Sequence, residues 1–361
     1  MNQKTKALHD AGQSIWLDNI TRTLLDDGTL ERYIADLSVT GLTSNPTIFE
    51  KAIGEGDAYD AQIGELQSRG LGAEETFFEL AITDLRRAAD LFAGVHERSA
   101  GLDGFVSLEV SPKLSDDTDA TIAQVRDLHA RVDRPNVYIK IPGTPAGLPA
   151  IEAAIHAGIP VNVTLLFSSA QHLAAADAHL RGLERRIEDG LAPDVPSVAS
   201  LFMSRWDKAV AGKVPAALEN RLGLAIGGRA YKGYLEYLAS DRVHRVMNAG
   251  ARPQRLLWAS TGTKDPKASD TLFIDGLVAP YTVNTMPEGT LQAFADHGVP
   301  PVSLGADTTK AEATLTEMAG AGVDVDALAE QLQREGAQAF VASWDSLTRT
   351  LESQRAAPAA S

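Results

Sequence analysis

The chain has 361 residues, of which 44% are hydrophobic and 22% are charged, and its net charge is −15. This length allows one large α/β domain or two ordinary ones, and the acidic balance argues against nucleic acid or an anionic membrane as a partner. The absence of cysteine excludes disulfides, thiolate nucleophiles and cysteine metal sites.

The N-terminal residues 1–16 contain no apolar signal core. No stretch of the sequence approaches the roughly 20 apolar residues of a membrane span. We therefore expect a cytoplasmic protein without a membrane partner. The sequence leaves open whether it is a monomer or a homodimer.

Strand-like runs bounded by turn residues recur along the chain, with helical patterns between them. The predicted strands are 14–18, 37–43, 105–110, 137–141, 159–165, 197–202, 255–260 and 281–286. The predicted helices are 73–98, 116–132, 146–157, 168–188, an interrupted region 206–250, 291–295, 311–320 and 325–351. Ser115 or Asp116 is the expected N-cap of the second helix, and Gly227-Gly228 is interpreted as a helix junction.

Alternating strands and helices favour a parallel sheet, and closure into a (β/α)₈ TIM barrel is the simplest arrangement of eight such strands. We predict a single barrel domain over residues 1–352, with additional helices after strands 6 and 8. Residues 353–361 are expected to form a disordered tail. A doubly wound open sheet is the alternative, although no G-x-G-x-x-G motif follows the first strand to support its dinucleotide-binding form.

Lys140 is an unusual residue for the strand that contains it. The run from Val137 to Ile141 is otherwise apolar, and Pro142-Gly143 ends it. Burial disfavours an ammonium group, so a lysine here should be available as a neutral amine that attacks carbonyl carbons and forms Schiff bases. The alternative is a solvent-facing lysine on an edge strand.

Further polar residues lie at or just beyond the ends of the predicted strands. They are Asp18, Asn45, Glu109, Asn162, Thr164, Ser200 and Arg205. Each has a structural explanation when taken alone: Asp18 could cap a helix, Asn45-Pro46 could be a turn, and Arg205 could be a surface residue. In a barrel, however, the loops after the strands build the active site. Burial of this many polar groups would also destabilise a core that had no other role. Together they favour a site.

Three segments resemble the signatures of transaldolases. They are Ser38-Val-Thr-Gly-Leu-Thr-Ser-Asn-Pro-Thr-Ile48, Val137-Tyr-Ile-Lys-Ile-Pro-Gly-Thr144 and Val161-Asn-Val-Thr-Leu-Leu-Phe-Ser168. The resemblance extends from about residue 14 to 286. It implies a class I aldolase-type barrel that transfers a dihydroxyacetone unit between sugar phosphates in the pentose phosphate pathway, through a Schiff base on the fourth strand.

The resemblance also implies a role for each candidate residue. Lys140 corresponds to the Schiff-base nucleophile, and Asp18 to the acid/base residue of carbon–carbon cleavage. Glu109 and Thr164 correspond to the pair that holds a catalytic water. The residues that correspond to substrate-binding positions are Asn45, Asn162 and Ser200 for the dihydroxyacetone hydroxyls and Arg205 for a phosphate.

The loop after strand seven departs from many relatives, which carry a second phosphate-binding arginine there. Here the loop reads Ala259-Ser-Thr-Gly-Thr-Lys-Asp265, so Lys264 is the candidate for that charge. No metal or organic cofactor is expected, because a Schiff-base lysine supplies the electron sink. The histidines also form no H-x-H or H-E-x-x-H motif.

Three other functions compete with this prediction. A fructose 6-phosphate aldolase would cleave without transfer, but the small aldolases of the superfamily typically have glutamine and tyrosine where this chain has Glu109 and Phe202. A non-catalytic sugar-phosphate-binding barrel would have no need for Asp18, Glu109 and Lys140 together. A glycosyl- or acyl-transfer carboxylate pair would leave Lys140 without a role.

Overall fold

The computed structural model describes residues 1–54, 56–299 and 301–356. Eight parallel strands close into a barrel in chain order, and β8 pairs with β1. The strands are β1 (Gln13–Asp18), β2 (Val39–Thr43), β3 (Val106–Glu109), β4 (Val137–Pro142), β5 (Val161–Leu166), β6 (Ser197–Phe202), β7 (Arg255–Ala259) and β8 (Thr282–Met286). The predicted (β/α)₈ barrel is therefore confirmed, and the open sheet is excluded.

Helices surround this barrel and extend beyond it. The first nine are α1 (Gln3–Asp10), α2 (Arg22–Asp26), α3 (Thr29–Asp36), α4 (Pro46–Gly54), α5 (Asp60–Ser68), α6 (Ala73–Arg98), α7 (Thr118–Val132), α8 (Gly147–His156) and α9 (Ser169–Glu188). The others are α10 (Ser204–Val210), α11 (Leu222–Leu238), α12 (Asp241–Asn248), α13 (Leu272–Gly276), α14 (Glu288–His297), α15 (Thr309–Gly320) and α16 (Val325–Ala356). Short 3₁₀ helices cover Pro112–Leu114 and Ala216–Leu218. The extra helices predicted after strands 6 and 8 are thus present as α10–α12 and α14–α16.

The helices before α6 were missed by the sequence prediction. They are five to nine residues long, which is too short for a strong periodic pattern and too short to be stable alone. Packing stabilises them instead: Phe49 and Ile53 of α4, and Ile63 and Leu66 of α5, are buried in the core.

The predicted helix junction at Gly227-Gly228 is wrong. Both glycines lie inside α11, where a Cβ atom at Gly227 would come within 2.4 Å of Leu277 Cδ2. Close helix packing, rather than a break, therefore requires glycine at this position. The actual interruption precedes α11, whose first amides, those of Leu222 and Gly223, donate to Asp207 Oδ1 at 2.9 and 3.2 Å.

Two helix ends also differ from the prediction. The N-cap of α7 is Asp117, whose side chain accepts a hydrogen bond from the backbone N–H of Ala120, and not Ser115 or Asp116. Helix α16 continues to Ala356, so 353–356 are helical rather than part of a tail, and residues 357–361 lie outside the described residues. The segment from Glu352 to Ala356 contains good helix formers, which agrees with its helical structure.

The strand register determines where the polar side chains meet. Glu109 on β3 lies opposite Lys140 on β4, and Lys140 lies opposite Asn162 on β5. The other end of the barrel is closed by a buried ion pair, with Arg255 Nη1 3.3 Å from Asp103 Oδ1. Within the described part of the chain, no helix is both long and apolar enough to cross a membrane.

Candidate active site

A cavity of about 320 Å³ opens at the carboxyl ends of the strands, where the loops of a (β/α)₈ barrel build its site. Most of the predicted site residues lie on its wall: Asp18, Asn45, Lys140, Ser200, Phe202, Arg205 and Lys264. Glu109, Asn162 and Thr164 are buried and are not on that wall. The structure therefore brings the predicted residues to one end of the barrel, where some line the cavity and the others are buried behind its wall.

Lys140 is buried beside this cavity, with only 5% of the residue exposed. Its Nζ donates to the backbone carbonyl of Ser44 at 3.0 Å and lies 3.1 Å from Glu109 Oε2. The amine therefore does not point into bulk solvent, and the edge-strand alternative is excluded. The amine and the carboxyl group are within hydrogen-bond distance of each other, as proton transfer between them requires.

The two carboxyl groups near Lys140 both have raised pKa values. Burial raises the pKa of Glu109, and the positive charge of Lys140 only partly opposes this effect. Burial likewise raises the pKa of Asp18, although Lys140 and a hydrogen bond from Thr43 Oγ1 at 2.9 Å act in the opposite direction. Carboxyl groups of this kind hold protons at higher pH than ordinary ones and are typical of acid–base sites.

Three buried oxygens behind the cavity wall have no hydrogen-bond partner among the described residues. They are Thr164 Oγ1, Glu109 Oε1 and Glu109 Oε2, the last of which forms the ion pair with Lys140. Buried polar atoms are usually satisfied by protein or by ordered water, so the unsatisfied Glu109 Oε1 and Thr164 Oγ1 suggest a place for a small polar molecule.

Asn162 and Ser200 form part of a hydrogen-bonded row inside the barrel. Asn162 Nδ2 donates to Ser107 Oγ at 3.1 Å, and Ser200 Oγ donates to Asn162 Oδ1 at 2.7 Å. Asn45 Oδ1 accepts a hydrogen bond from the backbone N–H of Ile48 at 3.1 Å, so it caps α4, whose first residue is Pro46. These residues have structural partners, and only Ser200 and Asn45 reach the cavity.

Arg205 is held by aromatic rings rather than by a carboxylate. Its Cζ lies 5.3 Å from the ring centre of Phe202 and 6.0 Å from that of Phe340, and it makes no ion pair within the described residues. Burial lowers the pKa of Arg205, although a guanidinium stays charged in proteins. The negative charge of Glu335 acts in the opposite direction, although Arg205 makes no ion pair with any described carboxylate. A partly buried cation of this kind is suited to bind an anionic ligand.

Lys264 lies on the same wall, as does Lys51 of α4. Burial lowers the pKa of Lys264, Asp18 opposes this effect, and the positive charges of Arg205, Lys208 and Lys51 lower the pKa further. The cations of the cavity wall are therefore close enough to repel one another. Such a cluster in a chain of net charge −15 provides a local positive region for an anion.

Sequence reasoning missed Lys51 and Phe340. Lys51 could have been found, because an Asn-Pro pair is typical of a helix start, and helical spacing then places Thr47 and Lys51 on one face. Both do line the cavity. Phe340 is carried by α16, far along the chain from any barrel strand, and no local pattern indicates that its ring reaches the cavity.

The closed barrel has a buried lysine and two carboxyl groups of raised pKa at the carboxyl ends of its strands. These features are typical of (β/α)₈-barrel enzymes with a lysine in the active site.

Among the described residues, no group of three or more histidine, aspartate or glutamate side chains is positioned to bind a metal ion.

Comparison with known proteins narrows the class to a family. Residues 15–351 match the family described as Transaldolase/Fructose-6-phosphate aldolase. The chain is 46% identical to "Transaldolase" of Thermobifida fusca (strain YX), over 99% of this chain and 100% of that protein. It is 44% identical to "Transaldolase" of Parafrankia sp. (strain EAN1pec) and of Mycolicibacterium smegmatis (strain ATCC 700084 / mc(2)155), over 98% of this chain and 98% of each relative. The chain belongs to the transaldolase/fructose-6-phosphate aldolase family.

Proposed function

We propose that this protein is a transaldolase that moves a dihydroxyacetone unit through a Schiff base on Lys140. The donor is sedoheptulose 7-phosphate or fructose 6-phosphate, and the acceptor is glyceraldehyde 3-phosphate or erythrose 4-phosphate. The observation that carries this proposal is the buried Lys140 amine, 3.1 Å from Glu109 and on the same cavity wall as Asp18. The family membership and the names of the relatives agree with it.

The first step is attack of the Lys140 amine on the C2 ketone of the donor. Glu109 lies 3.1 Å from the amine and burial raises its pKa, so this carboxylate can accept a proton from the lysine before the attack. The carbinolamine then loses its hydroxyl group as water and becomes an iminium. A water held between Glu109 Oε1 and Thr164 Oγ1 would carry the protons of this step, which would satisfy both of these oxygens.

The second step breaks the C3–C4 bond. Asp18 accepts the proton of the C4 hydroxyl, the bonding electrons move into the iminium, and the aldose phosphate leaves as an aldehyde. A three-carbon enamine stays on Lys140, with Asn45, Asn162 and Ser200 as the candidates to bind its hydroxyl groups. The enamine then attacks the acceptor aldehyde, Asp18 returns the proton, and hydrolysis of the new iminium releases the product. This order requires ping-pong kinetics.

The cations of the cavity wall would bind the substrate phosphate. With Lys140 neutral, the wall carries Arg205, Lys264 and Lys51 as cations and Asp18 as an anion, which leaves a net charge of about +2. A phosphate monoester carries about −1.5 to −2 at neutral pH, so the cavity and the ligand are matched in charge.

We predict that Arg205→Ala and Lys51→Met each raise KM for fructose 6-phosphate by about tenfold or more, with a smaller change in kcat, because they remove charge-assisted contacts to the phosphate. Steady-state kinetics with fructose 6-phosphate and with fructose measure this effect. Lys213→Met is the matched control, since Lys213 is exposed and does not line this cavity. Equal losses for both sugars would exclude these residues as phosphate ligands.

A fructose 6-phosphate aldolase is the second candidate, because the family includes both activities. Glu109 and Phe202 favour transfer by their resemblance to transaldolases. The test is the release of free dihydroxyacetone from fructose 6-phosphate, with and without an aldose phosphate acceptor. A transaldolase releases little dihydroxyacetone and transfers it when the acceptor is added. Rapid release without an acceptor would identify an aldolase instead.

A further inference from the structure

Helix α16 is an addition to the eightfold βα repeat, yet it lies against the site. It packs on α4 and α6 and contacts β5. Its inward face is a buried stripe at helical spacing, composed of Leu332, Gly336, Phe340, Trp344 and Leu347. Two features of this helix reach the elements that carry candidate catalytic and binding residues.

The first feature is Gln333, which joins the ends of β4 and β5. Its Nε2 donates to the carbonyl of Gly143 at 3.1 Å and to the carbonyl of Leu165 at 2.9 Å. Gly143 directly follows the strand of Lys140, and Leu165 directly follows Thr164. One side-chain amide therefore links the two strand ends on which the Schiff-base lysine and the candidate water-binding threonine are carried.

The backbone at Leu165 needs such support. Its φ is +59°, in the left-handed region that is unfavourable for a residue with a branched side chain, and the β5–β6 register shifts between Val163 and Leu166. A strained conformation persists only where the surroundings hold it, and this one directly follows Thr164. Gln333 is one of the contacts that hold it.

The second feature is the contact with Arg205. The centre of the Phe340 ring lies 6.0 Å from Arg205 Cζ, and the ring of Phe202 from β6 lies 5.3 Å from the same atom. At Gly336, a Cβ atom would lie 3.1 Å from Arg205 Nη1 and 2.9 Å from Leu165 Cδ2. The helix therefore supplies both a ring against Arg205 and the space in which that side chain lies.

We propose that α16 is a positioning element for the active site: Gln333 fixes the strand ends of Lys140 and Thr164, and Phe340 with Gly336 fixes the guanidinium of Arg205. The inference rests on the proposed function for the roles of those three residues. It assigns separate effects to two parts of one helix. Gln333 acts on the chemical step, whereas Phe340 and Gly336 act on recognition of the phosphate.

The alternative is that α16 only stabilises the fold. Loss of stability alone would lower the amount of folded enzyme, and hence kcat, in every variant and would not change KM for one class of substrate. The division between kcat and KM therefore distinguishes positioning from simple packing.

The experiment measures transfer kinetics for variants of α16. Gln333→Met removes the amide donor at similar size and should lower kcat about tenfold, with KM changed less than about twofold. Phe340→Leu and Gly336→Ala should raise KM for fructose 6-phosphate about tenfold, with little change in kcat or in KM for fructose. Phe340→Tyr keeps the ring and should restore KM. The matched control is Gln331→Met, since Gln331 is exposed and its amide donates to Glu335 of its own helix.

Calorimetric titration with inorganic phosphate gives a readout that does not depend on activity. Phe340→Leu and Gly336→Ala should weaken phosphate binding about tenfold, whereas Gln333→Met should leave it unchanged. If the wild-type protein binds phosphate but transfers nothing, the proposed function is refuted. The phosphate titration of the variants then still tests whether α16 positions Arg205. Gly336→Ala leaves the other residues of the buried stripe unchanged. It therefore tests the positioning of Arg205 if the Phe340→Leu variant does not fold. Identical kcat and KM changes in all variants, or changes no larger than those of Gln331→Met, would overturn the inference.

Discussion

Replacement of Lys140 by alanine should abolish transfer, with kcat reduced by roughly four or more orders of magnitude. An alkyl side chain cannot form an iminium, so the C3–C4 bond has no electron sink and the remaining residues can only bind the donor. The donor should still bind, because Arg205, Lys264 and Lys51 remain on the cavity wall. Stopped assays of aldose phosphate transfer measure the loss, and titration with fructose 6-phosphate measures the binding.

Two controls separate loss of chemistry from loss of fold. Removal of one partner of a buried ion pair can cost about 3–5 kcal/mol, but burial already raises the pKa of Glu109, so protonation of this carboxyl group reduces the cost. Lys140→Ala should therefore give a far-ultraviolet circular dichroism spectrum like that of the wild type. Lys267→Ala, at an exposed position of the loop after β7, should retain full activity. Activity of Lys140→Ala within about a hundredfold of the wild type would contradict the role of Lys140.

The second large effect is expected for Asp18→Asn, which should lower kcat by about 10²- to 10⁴-fold because the general base is lost. Asparagine can still accept the hydrogen bond that Thr43 Oγ1 donates to Asp18 Oδ1 at 2.9 Å, so the geometry is retained. The Schiff base still forms, but the donor is not cleaved. Borohydride should therefore trap an adduct with all six carbons of fructose 6-phosphate in this variant.

The pH dependence gives a further readout for the same substitution. Asp18 must be ionised to accept the C4 proton, and burial raises its pKa. The cleavage rate of the wild type should therefore fall as the pH decreases, starting at a higher pH than for an ordinary aspartate. This acid limb should be missing from the residual rate of Asp18→Asn, while Asp116→Asn, at an exposed position, should keep it. An unchanged profile in Asp18→Asn would remove Asp18 from the mechanism.

The strands and the central lysine were accessible from the sequence because their signals are local. Buried β-branched runs mark the strands, and a single lysine inside the run 137–141 is conspicuous in an apolar context. The position of Lys140 beside Glu109 then follows from parallel pairing of neighbouring strands. Helix α6 was predicted with its observed bounds, since a 26-residue amphipathic pattern is unambiguous.

Other features depend on contacts between residues that are distant in the sequence. Phe340 reaches the cavity only because α16 packs over α4, and nothing near residue 340 indicates this. The hydrogen bonds that Asn162 makes with Ser107 and Ser200 depend on the barrel register, which the sequence alone does not give. Gly227 was interpreted as a break because close packing against Leu277 cannot be read from the sequence alone.

Borohydride trapping decides whether Lys140 forms the Schiff base. The wild-type protein is treated with fructose 6-phosphate and borohydride, digested, and mapped by mass spectrometry. We expect a reduced three-carbon adduct on the peptide that contains Lys140, and none when the ketose is omitted. An adduct on a different lysine, or no adduct from an enzyme that still transfers, would contradict this expectation.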